Sequence, residues 1–291
     1  MSTATLGPWR SFEHAPMTLG EGARAVGDTC VVVDLLDGVL YRVGDTVDTL
    51  ASVGLPLGAV APIEGRPSEW IAAVGTGVAL LTGDALTWIA RPADDAPTPM
   101  RVNDARSDPA GRFWFTSMAY DTSGSDGSLY RLDTDFAVTE VLDDLTVPNG
   151  PVFSADGLEM FIADSVAGTI YRCRLDPGGN VVDREVFARV DGSPDGMAVD
   201  TEGYVWSAIW GTSAIHRYDR SGRLAGRYEL PAAQPTSIAF VPGHIVVTTA
   251  AYGLGPAARP ADGLIHIARC DVAGLPTETF RPRQGTGHTT R

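Results

Sequence analysis

The chain has 291 residues, a formal net charge of −14 and 44% hydrophobic residues. Nucleic acids and anionic membranes attract basic patches, so a chain this acidic is expected to bind neither. Its 33 glycines and 20 prolines favour many short strands joined by tight turns and argue against long helices.

The cysteines and the N-terminus bear on the cellular compartment. Cys30, Cys173 and Cys270 are odd in number, far apart and without Cys-x-x-Cys spacing, which is typical of buried free thiols in a reducing compartment. No apolar run reaches the roughly 18 residues of a membrane span, and residues 1–16 lack the apolar core of a signal peptide. We therefore predict a cytoplasmic protein without membrane association, a monomer or weak homo-oligomer that acts on a small molecule.

In chain order, residues 1–16 are irregular and are predicted to form no blade, although they could supply a strand that closes a ring. A short motif then recurs, in which a small residue precedes apolar residues, Tyr or His, and Arg. It predicts a third strand in each of four similar units. The four copies are residues 38–43, 127–132, 168–173 and 213–218.

A longer pattern repeats at a fixed interval. It begins with an acid or amide and continues through an apolar run to a turn glycine. The leading residues Asn103, Asn149 and Asp195 are 46 apart, as are the glycines that follow them at positions 111, 157 and 203. A constant interval of about 40 to 50 residues with several short strands per unit is typical of a β-propeller, in which each unit is one four-stranded blade.

The leading positions near residues 21, 64, 103, 149, 195 and 236 predict an all-β, six-bladed β-propeller that occupies residues 1–291 as one domain. The second unit is the least regular, so five or seven blades stay open, and Glu64 is not predicted to be a ligand. Residues 252–262 are interpreted as an excursion loop inside the last blade. The polar segment 279–291 is expected to fray or pack loosely.

Circular repetition brings equivalent positions to one channel mouth. Glu21, Asn149 and Asp195 share the leading position, and Glu21 lies 82 residues, or two intervals of 41, before Asn103. Asn-Gly and Asp-Gly pairs are common turn signals, but Glu is not a residue that turns favour, so a turn does not explain Glu21. Three oxygen-bearing side chains aimed at one point predict a site for one divalent metal ion. An oxygen-only shell accepts calcium, magnesium, manganese or zinc to different degrees.

The same mouth supplies candidates for substrate binding and catalysis. Asp195 is the predicted catalytic base, with a role confined to coordination as the alternative. Arg101 and Asn103 are two residues apart in a strand and point to the same side, where they suit polyol or carboxylate oxygens; Arg101 could instead only balance the acidic mouth. Asp121 is a further substrate-binding candidate at the rim. Zinc-protease, phosphate-loop, nucleophile-elbow and dinucleotide-binding motifs are absent from the sequence.

From about residue 19 to 250, the chain resembles the superfamily of six-bladed propellers that contains regucalcin, gluconolactonase and luciferin-regenerating enzyme. The matching segments are residues 19–22, 101–104, 108–114, 147–150, 154–157 and 194–200. The resemblance implies one divalent metal on Glu21, Asn149 and Asp195, substrate contacts from Arg101 and Asn103, and Asp195 as base or water activator. It implies hydrolysis of sugar lactones with calcium, zinc or another divalent ion.

The chain departs from that family pattern at Ala23, Ala105, Thr116 and Ser117, which predicts an altered pocket lining beside the metal residues. Our first hypothesis is a metal-dependent hydrolase that opens a sugar lactone or related cyclic ester. A second keeps the site but acts on another ester, a phosphotriester or a biosynthetic intermediate. A third is a non-catalytic, metal-stabilised binding or regulatory propeller.

Overall fold

The computed structural model describes residues 3–283, and its regular structure is β-strand apart from one 3-10 turn at Gly255–Ala257. The first twelve strands are β1 (Arg10–Ser11), β2 (Gly20–Val26), β3 (Thr29–Asp34), β4 (Val39–Val43), β5 (Val47–Ser52), β6 (Leu57–Ile63), β7 (Arg66–Val74), β8 (Gly77–Thr82), β9 (Ala85–Ala90), β10 (Met100–Ser107), β11 (Phe113–Ala119) and β12 (Gly127–Leu132). The remaining strands are β13 (Val138–Leu145), β14 (Pro148–Phe153), β15 (Glu159–Asp164), β16 (Thr169–Leu175), β17 (Val181–Arg189), β18 (Ser193–Val199), β19 (Val205–Trp210), β20 (Ala214–Tyr218), β21 (Leu224–Glu229), β22 (Pro235–Val241), β23 (His244–Thr249) and β24 (His266–Arg269).

These strands form six four-stranded antiparallel sheets, which confirms the predicted six-bladed propeller. Five blades use four consecutive strands, beginning at β2, β6, β10, β14 and β18. The sixth has the order β1-β24-β23-β22, so its outermost strand comes from the start of the chain and pairs Arg10 with Ile267. No helix among residues 3–283 is long and apolar enough to cross a membrane.

The repeated turn has a packing role that explains its spacing. Trp114 and Trp206 follow their turn glycines by three residues, and both are fully buried. Each indole N–H donates to an aspartate six residues earlier, Asp108 at 2.8 Å and Asp200 at 2.9 Å. A buried indole N–H needs such an acceptor, so Asp, Gly and Trp recur together.

The three cysteines are free and buried, as expected.

The second blade differs from the prediction. Its innermost strand is β6, and Glu64 is an exposed residue just after that strand, so the leading position near 64 is wrong. Gly58 in β6 lies against the backbone of the third blade, where a Cβ would collide with the carbonyl oxygen of Asn103. The close approach of these strands excludes a side chain at Gly58, and the repeat motif is therefore lost in this blade.

The end of the described chain also differs from the expectation. Phe280 is fully buried, its N–H donates to the Pro62 carbonyl at 2.9 Å, and its own carbonyl accepts the Glu64 N–H at 2.9 Å. It packs in the cluster around Phe113 and Phe115. The prediction that the chain packs loosely from residue 279 is thus wrong for residues 279–283, because the buried Phe280 side chain holds this segment against the core. Residues 284–291 of the predicted tail lie outside the described residues.

Candidate metal centre

The innermost strands position the site. All six carry a register irregularity at their N-terminal halves, for example between Glu21 and Arg24, between Val102 and Ala105, and between Asn149 and Val152. The same feature occurs in β6, β18 and β22. Such bulges change the direction of side chains. In β2, β10, β14 and β18 they adjoin residues that line a cavity of about 210 Å³ at one mouth of the channel.

Five predicted site residues line this one cavity: Glu21, Arg101, Asn103, Asn149 and Asp195. Each is 4 to 8% exposed, so all five belong to the buried interior although they come from four different blades. The structure thus brings together residues that lie up to 174 positions apart in sequence, since Glu21 and Asp195 share the cavity.

Asp121, the sixth candidate, is not among the residues that line the cavity. Its carboxylate accepts the Ser123 backbone N–H at 3.0 Å in an exposed turn, and this hydrogen bond lowers its pKa. Thr122, its neighbour, reaches the cavity instead.

A chain of hydrogen bonds orients the polar side chains. Arg101 Nη1 donates to Asn103 Oδ1 at 2.7 Å, and Asn103 Nδ2 donates to Asn149 Oδ1 at 2.9 Å. Asn149 Nδ2 donates to Ser165 Oγ at 2.9 Å, and the Ser165 hydroxyl donates to the Pro194 carbonyl at 2.6 Å. Ser165 Oγ accepts the hydrogen bond from the amide nitrogen of Asn149. The other atom of this amide, the oxygen Oδ1, therefore faces Asn103 and the cavity.

Glu21 and Asp195 are the two carboxyl groups of the cavity. Burial raises the pKa of Glu21 well above its usual range, and the nearby charges of Asp195 and Asp104 raise it further. Burial is also the main cause of the raised pKa of Asp195, with the charge of Asp104 second. Backbone N–H groups of the following glycines donate to both, at 3.2 Å for Glu21 and 3.0 Å for Asp195. Arg101 is the nearby positive group that lowers both pKa values, but its Nη1 bonds to the Val102 carbonyl and to Asn103. The two carboxyl groups therefore keep raised pKa values, and a further positive charge in the cavity would stabilise their ionised forms.

A third carboxylate, Asp104, is close enough to raise the pKa of both groups and is 3% exposed. It accepts the backbone N–H groups of Ala105 at 2.7 Å and Gly150 at 3.0 Å, and it pairs with Arg24 at 2.9 Å. Asp104 thereby links three blades, and its own charge is balanced by Arg24 rather than by a ligand of the cavity.

The residues that depart from the family pattern do not line the cavity, so the predicted change of its lining is wrong. Ala23 and Ala105 are fully buried, and Thr116 bonds to the backbone of Asp104 from within β11. Ser117 is 1% exposed and lies in the same strand, whereas the next residue, Met118, lines the cavity. Strand alternation accounts for Ser117, which faces opposite to Met118. Ala23 and Ala105 follow Glu21 and Asn103 within the bulges of β2 and β10, where regular alternation is interrupted.

The donor set fits a hard cation. Two buried carboxylates and one amide oxygen are the ligand types that calcium and magnesium prefer, and a divalent charge would offset the carboxylate repulsion described above. Among residues 3–283, no three His, Cys, Asp or Glu side chains form a cluster that could hold a metal. The candidate trio of Glu21, Asn149 and Asp195 differs from such a cluster because one of its members is an amide.

Several residues of the site had no sequence signal. Ser165 orients Asn149, and Tyr120 lies against the Arg101 guanidinium, 6.0 Å from ring centroid to carbon. Trp210 and Tyr252 complete the wall, and Tyr252 is 55% exposed. Each lies in or beside a loop between strands at the channel mouth. The repeat pattern does not extend into these loops, so it could not predict these residues. Only the position of Tyr252 in an excursion loop was foreseen.

Comparisons with known proteins show the family of this chain. The family model described as SMP-30/Gluconolactonase/LRE-like region matches residues 19–251. An L-arabinolactonase from Azospirillum brasilense is 32% identical over 278 residues, which cover 90% of this chain and 92% of the relative. A pentonolactonase from Haloferax volcanii is 37% identical over 196 residues, 63% of this chain and 67% of the relative.

Among solved structures, a regucalcin from Agrobacterium tumefaciens, described as a calcium-binding protein, superposes with a TM-score of 0.87 at 29% identity. The superposition covers 94% of this chain and 98% of that one. The family model spans most of the propeller, from the strand that carries Glu21 to the end of β23. This chain therefore belongs to the SMP-30/gluconolactonase/LRE-like family.

Proposed function

We propose that this protein is a divalent-metal-dependent hydrolase that opens a sugar lactone or a related cyclic ester. The observation that carries the proposal is the convergence of Glu21, Asn149 and Asp195 with Arg101 and Asn103 on one buried cavity. The names of the relatives from Azospirillum brasilense and Haloferax volcanii support the choice of a lactone as substrate. The cavity volume of about 210 Å³ is below the usual size of drug-sized ligand sites and suits a single small ring.

The proposed roles divide the cavity between a metal side and a substrate side. Glu21, Asn149 and Asp195 would hold the ion through oxygen atoms. When bound, a divalent cation supplies Lewis acidity toward the lactone carbonyl and offsets the charge of the two carboxylates. Calcium or zinc is the first candidate for this ion, with magnesium and manganese as further ones.

Arg101 and Asn103 form the substrate side. Arg101 Nη1 is engaged by the Val102 carbonyl at 2.9 Å and by Asn103, and these bonds hold the guanidinium in one orientation. The other N–H groups of this guanidinium can donate to ring and hydroxyl oxygens of a polyol lactone. Because Asn103 is fixed between Arg101 and Asn149, it positions substrate and metal residues relative to each other.

Asp195 is the proposed base. It accepts a proton from the attacking water while the water oxygen bonds to the lactone carbonyl carbon. The bond between that carbon and the ring oxygen then breaks, and the proton returns to the ring oxygen. The product is the open-chain hydroxy acid, with one water consumed and no redox change.

The test is turnover of a panel of sugar lactones, followed by acid release with a pH indicator, with and without EDTA. Asp195→Asn should lower kcat/KM by about 100-fold or more, the usual contribution of a general base. Asp191→Asn is the matched control, because it makes the same chemical change on an exposed turn four residues earlier.

Three outcomes distinguish the hypotheses. Turnover that EDTA does not affect contradicts metal dependence. Turnover of other esters or phosphotriesters without lactones supports the second enzyme hypothesis. Chelator-sensitive melting without turnover of any substrate supports a metal-stabilised binding or regulatory propeller.

A further inference from the structure

A second cavity, of about 220 Å³, lies farther along the innermost strands, toward the opposite mouth of the channel. Its lining includes Arg24 and Arg106. Each follows a residue of the first cavity by three positions, Arg24 after Glu21 and Arg106 after Asn103. Three strand residues span about 10 Å, so the second cavity is separate from the candidate metal centre.

Arg24 brings a buried positive charge to this cavity. It is 1% exposed, and its guanidinium donates to the carbonyls of Ala23 and Ala105 and to Asp104. Its Nε–H has no hydrogen-bond partner within the part of the chain that the structure describes. An unpartnered buried donor on a charged group costs free energy unless a ligand or water accepts from it.

Arg106 adds a second positive charge with still fewer acceptors. One Nη donates to the Met197 carbonyl at 2.9 Å, and its buried Nε–H is without a partner among residues 3–283. Burial and the charge of Arg24 lower the pKa of Arg106 to about 9, whereas Asp104 raises it slightly. The Ser107 hydroxyl, 2% exposed, lines the same cavity and also has no partner among these residues.

The charge of the cavity is therefore positive at its inner end. Arg24 is offset by Asp104, but no carboxylate forms an ion pair with Arg106 in the described chain. Glu278 lines the cavity from the C-terminal segment and is only half-buried, and it pairs with neither arginine. Two guanidinium groups and a hydroxyl lie at this end of the cavity, and three of their N–H or O–H donors have no partner among residues 3–283. These three donor atoms are themselves covered, so an anion is attracted first by the positive charge and reaches the donors through small side-chain shifts.

We propose that this second cavity binds a small oxyanion, a phosphate or a carboxylate, through Arg106, Arg24 and Ser107. Its volume is below that of drug-sized sites, which limits the ligand to a small anion or to the charged end of a larger one. Glu278 at the edge opposes an incoming anion and sets the affinity. The proposal does not depend on lactone hydrolysis, because none of these residues lines the candidate metal centre.

Isothermal titration calorimetry with sodium phosphate, at ionic strength held constant with sodium chloride, tests the site on the full chain. The wild type should bind phosphate, and Arg106→Gln should bind at least about tenfold more weakly through loss of a hydrogen bond to a charged group. Arg42→Gln, which removes the same charge from an exposed position in β4 of the first blade, should bind like the wild type. Sodium acetate in place of phosphate shows whether a carboxylate also binds.

Two further variants keep the test decisive. Glu278→Gln should strengthen phosphate binding, and this arm applies even if Arg106→Gln fails to fold. Asp195→Asn should retain phosphate binding, which separates this site from the metal centre. Equal phosphate affinity of wild type, Arg106→Gln and Glu278→Gln, or no binding of either anion by the wild type, would overturn the proposal.

Discussion

The substitution Asp195→Asn is expected to change stability in opposite directions with and without metal. In the metal-free protein, Asp195 and Glu21 are buried carboxyl groups whose pKa values are raised mainly by burial, and further by the charge of Asp104 for both and of Asp195 for Glu21. A group whose pKa is raised on folding stabilises the fold while protonated. That stability is lost as the pH rises from the unfolded value through the folded value. Removing one of the two charges should therefore stabilise the metal-free fold at neutral pH.

The magnitude follows from the raised pKa values and the chain length. Each unit by which folding raises a pKa costs about 1.4 kcal/mol once the group is ionised. For 291 residues, the entropy of unfolding is about 0.6 kcal/mol per degree, so 1.4 kcal/mol corresponds to a Tm change of about 2 °C. A divalent ion at 100 times its Kd adds about 2.7 kcal/mol to the wild type, or about 4 °C, through ligands that the variant lacks.

Thermal unfolding at about pH 7.5 and about pH 4.5, with EDTA or with calcium, measures both effects. With EDTA at the higher pH, Asp195→Asn should melt at or above the wild-type Tm, and the difference should shrink at the lower pH. With calcium at the higher pH, the order should reverse. Asp191→Asn should follow the wild type throughout. A wild type that calcium does not stabilise, or a variant that it stabilises equally, would refute this reasoning.

Three further predictions concern other residues. Ser165→Ala frees the Asn149 amide to rotate and should weaken metal affinity about 10-fold or more, measured by titration against a fluorescent chelator. Arg101→Gln should lower kcat/KM for a lactone by about 10-fold or more with unchanged metal content by elemental analysis, because it removes a charged donor from the substrate side. Asp200→Asn weakens a fully buried pair with Arg217 at 2.8 Å and should cost on the order of 3 kcal/mol in denaturant unfolding without lowering kcat of the folded enzyme.

The sequence predicted the propeller and the convergence of its site because both follow from repetition. Asn103, Asn149 and Asp195 are equally spaced, and the Asp108 and Asp200 acceptors of buried tryptophans recur with the same turn. Periodicity failed in the second blade, where Gly58 must approach a neighbouring strand too closely to carry a side chain.

The parts that the sequence could not predict depend on three-dimensional contacts without a local pattern. Phe280 is a single aromatic residue in a polar segment. That it packs against the core becomes apparent only from the buried cluster that it joins in the folded protein. Ser165 follows a strand as many serines do, and its role depends on Asn149 from another strand. Arg24 and Arg106 line a different cavity from the metal residues. This could not be predicted without knowing how the innermost strands run between the two cavities.

The central claim is that Glu21, Asn149 and Asp195 hold one divalent cation. A crystal structure of the protein loaded with manganese, with anomalous scattering measured at its absorption edge, tests this most directly. We predict one strong anomalous peak within bonding distance of side-chain oxygen atoms from all three residues. A fully loaded crystal whose manganese lies elsewhere, with all three side chains unliganded, would contradict the account.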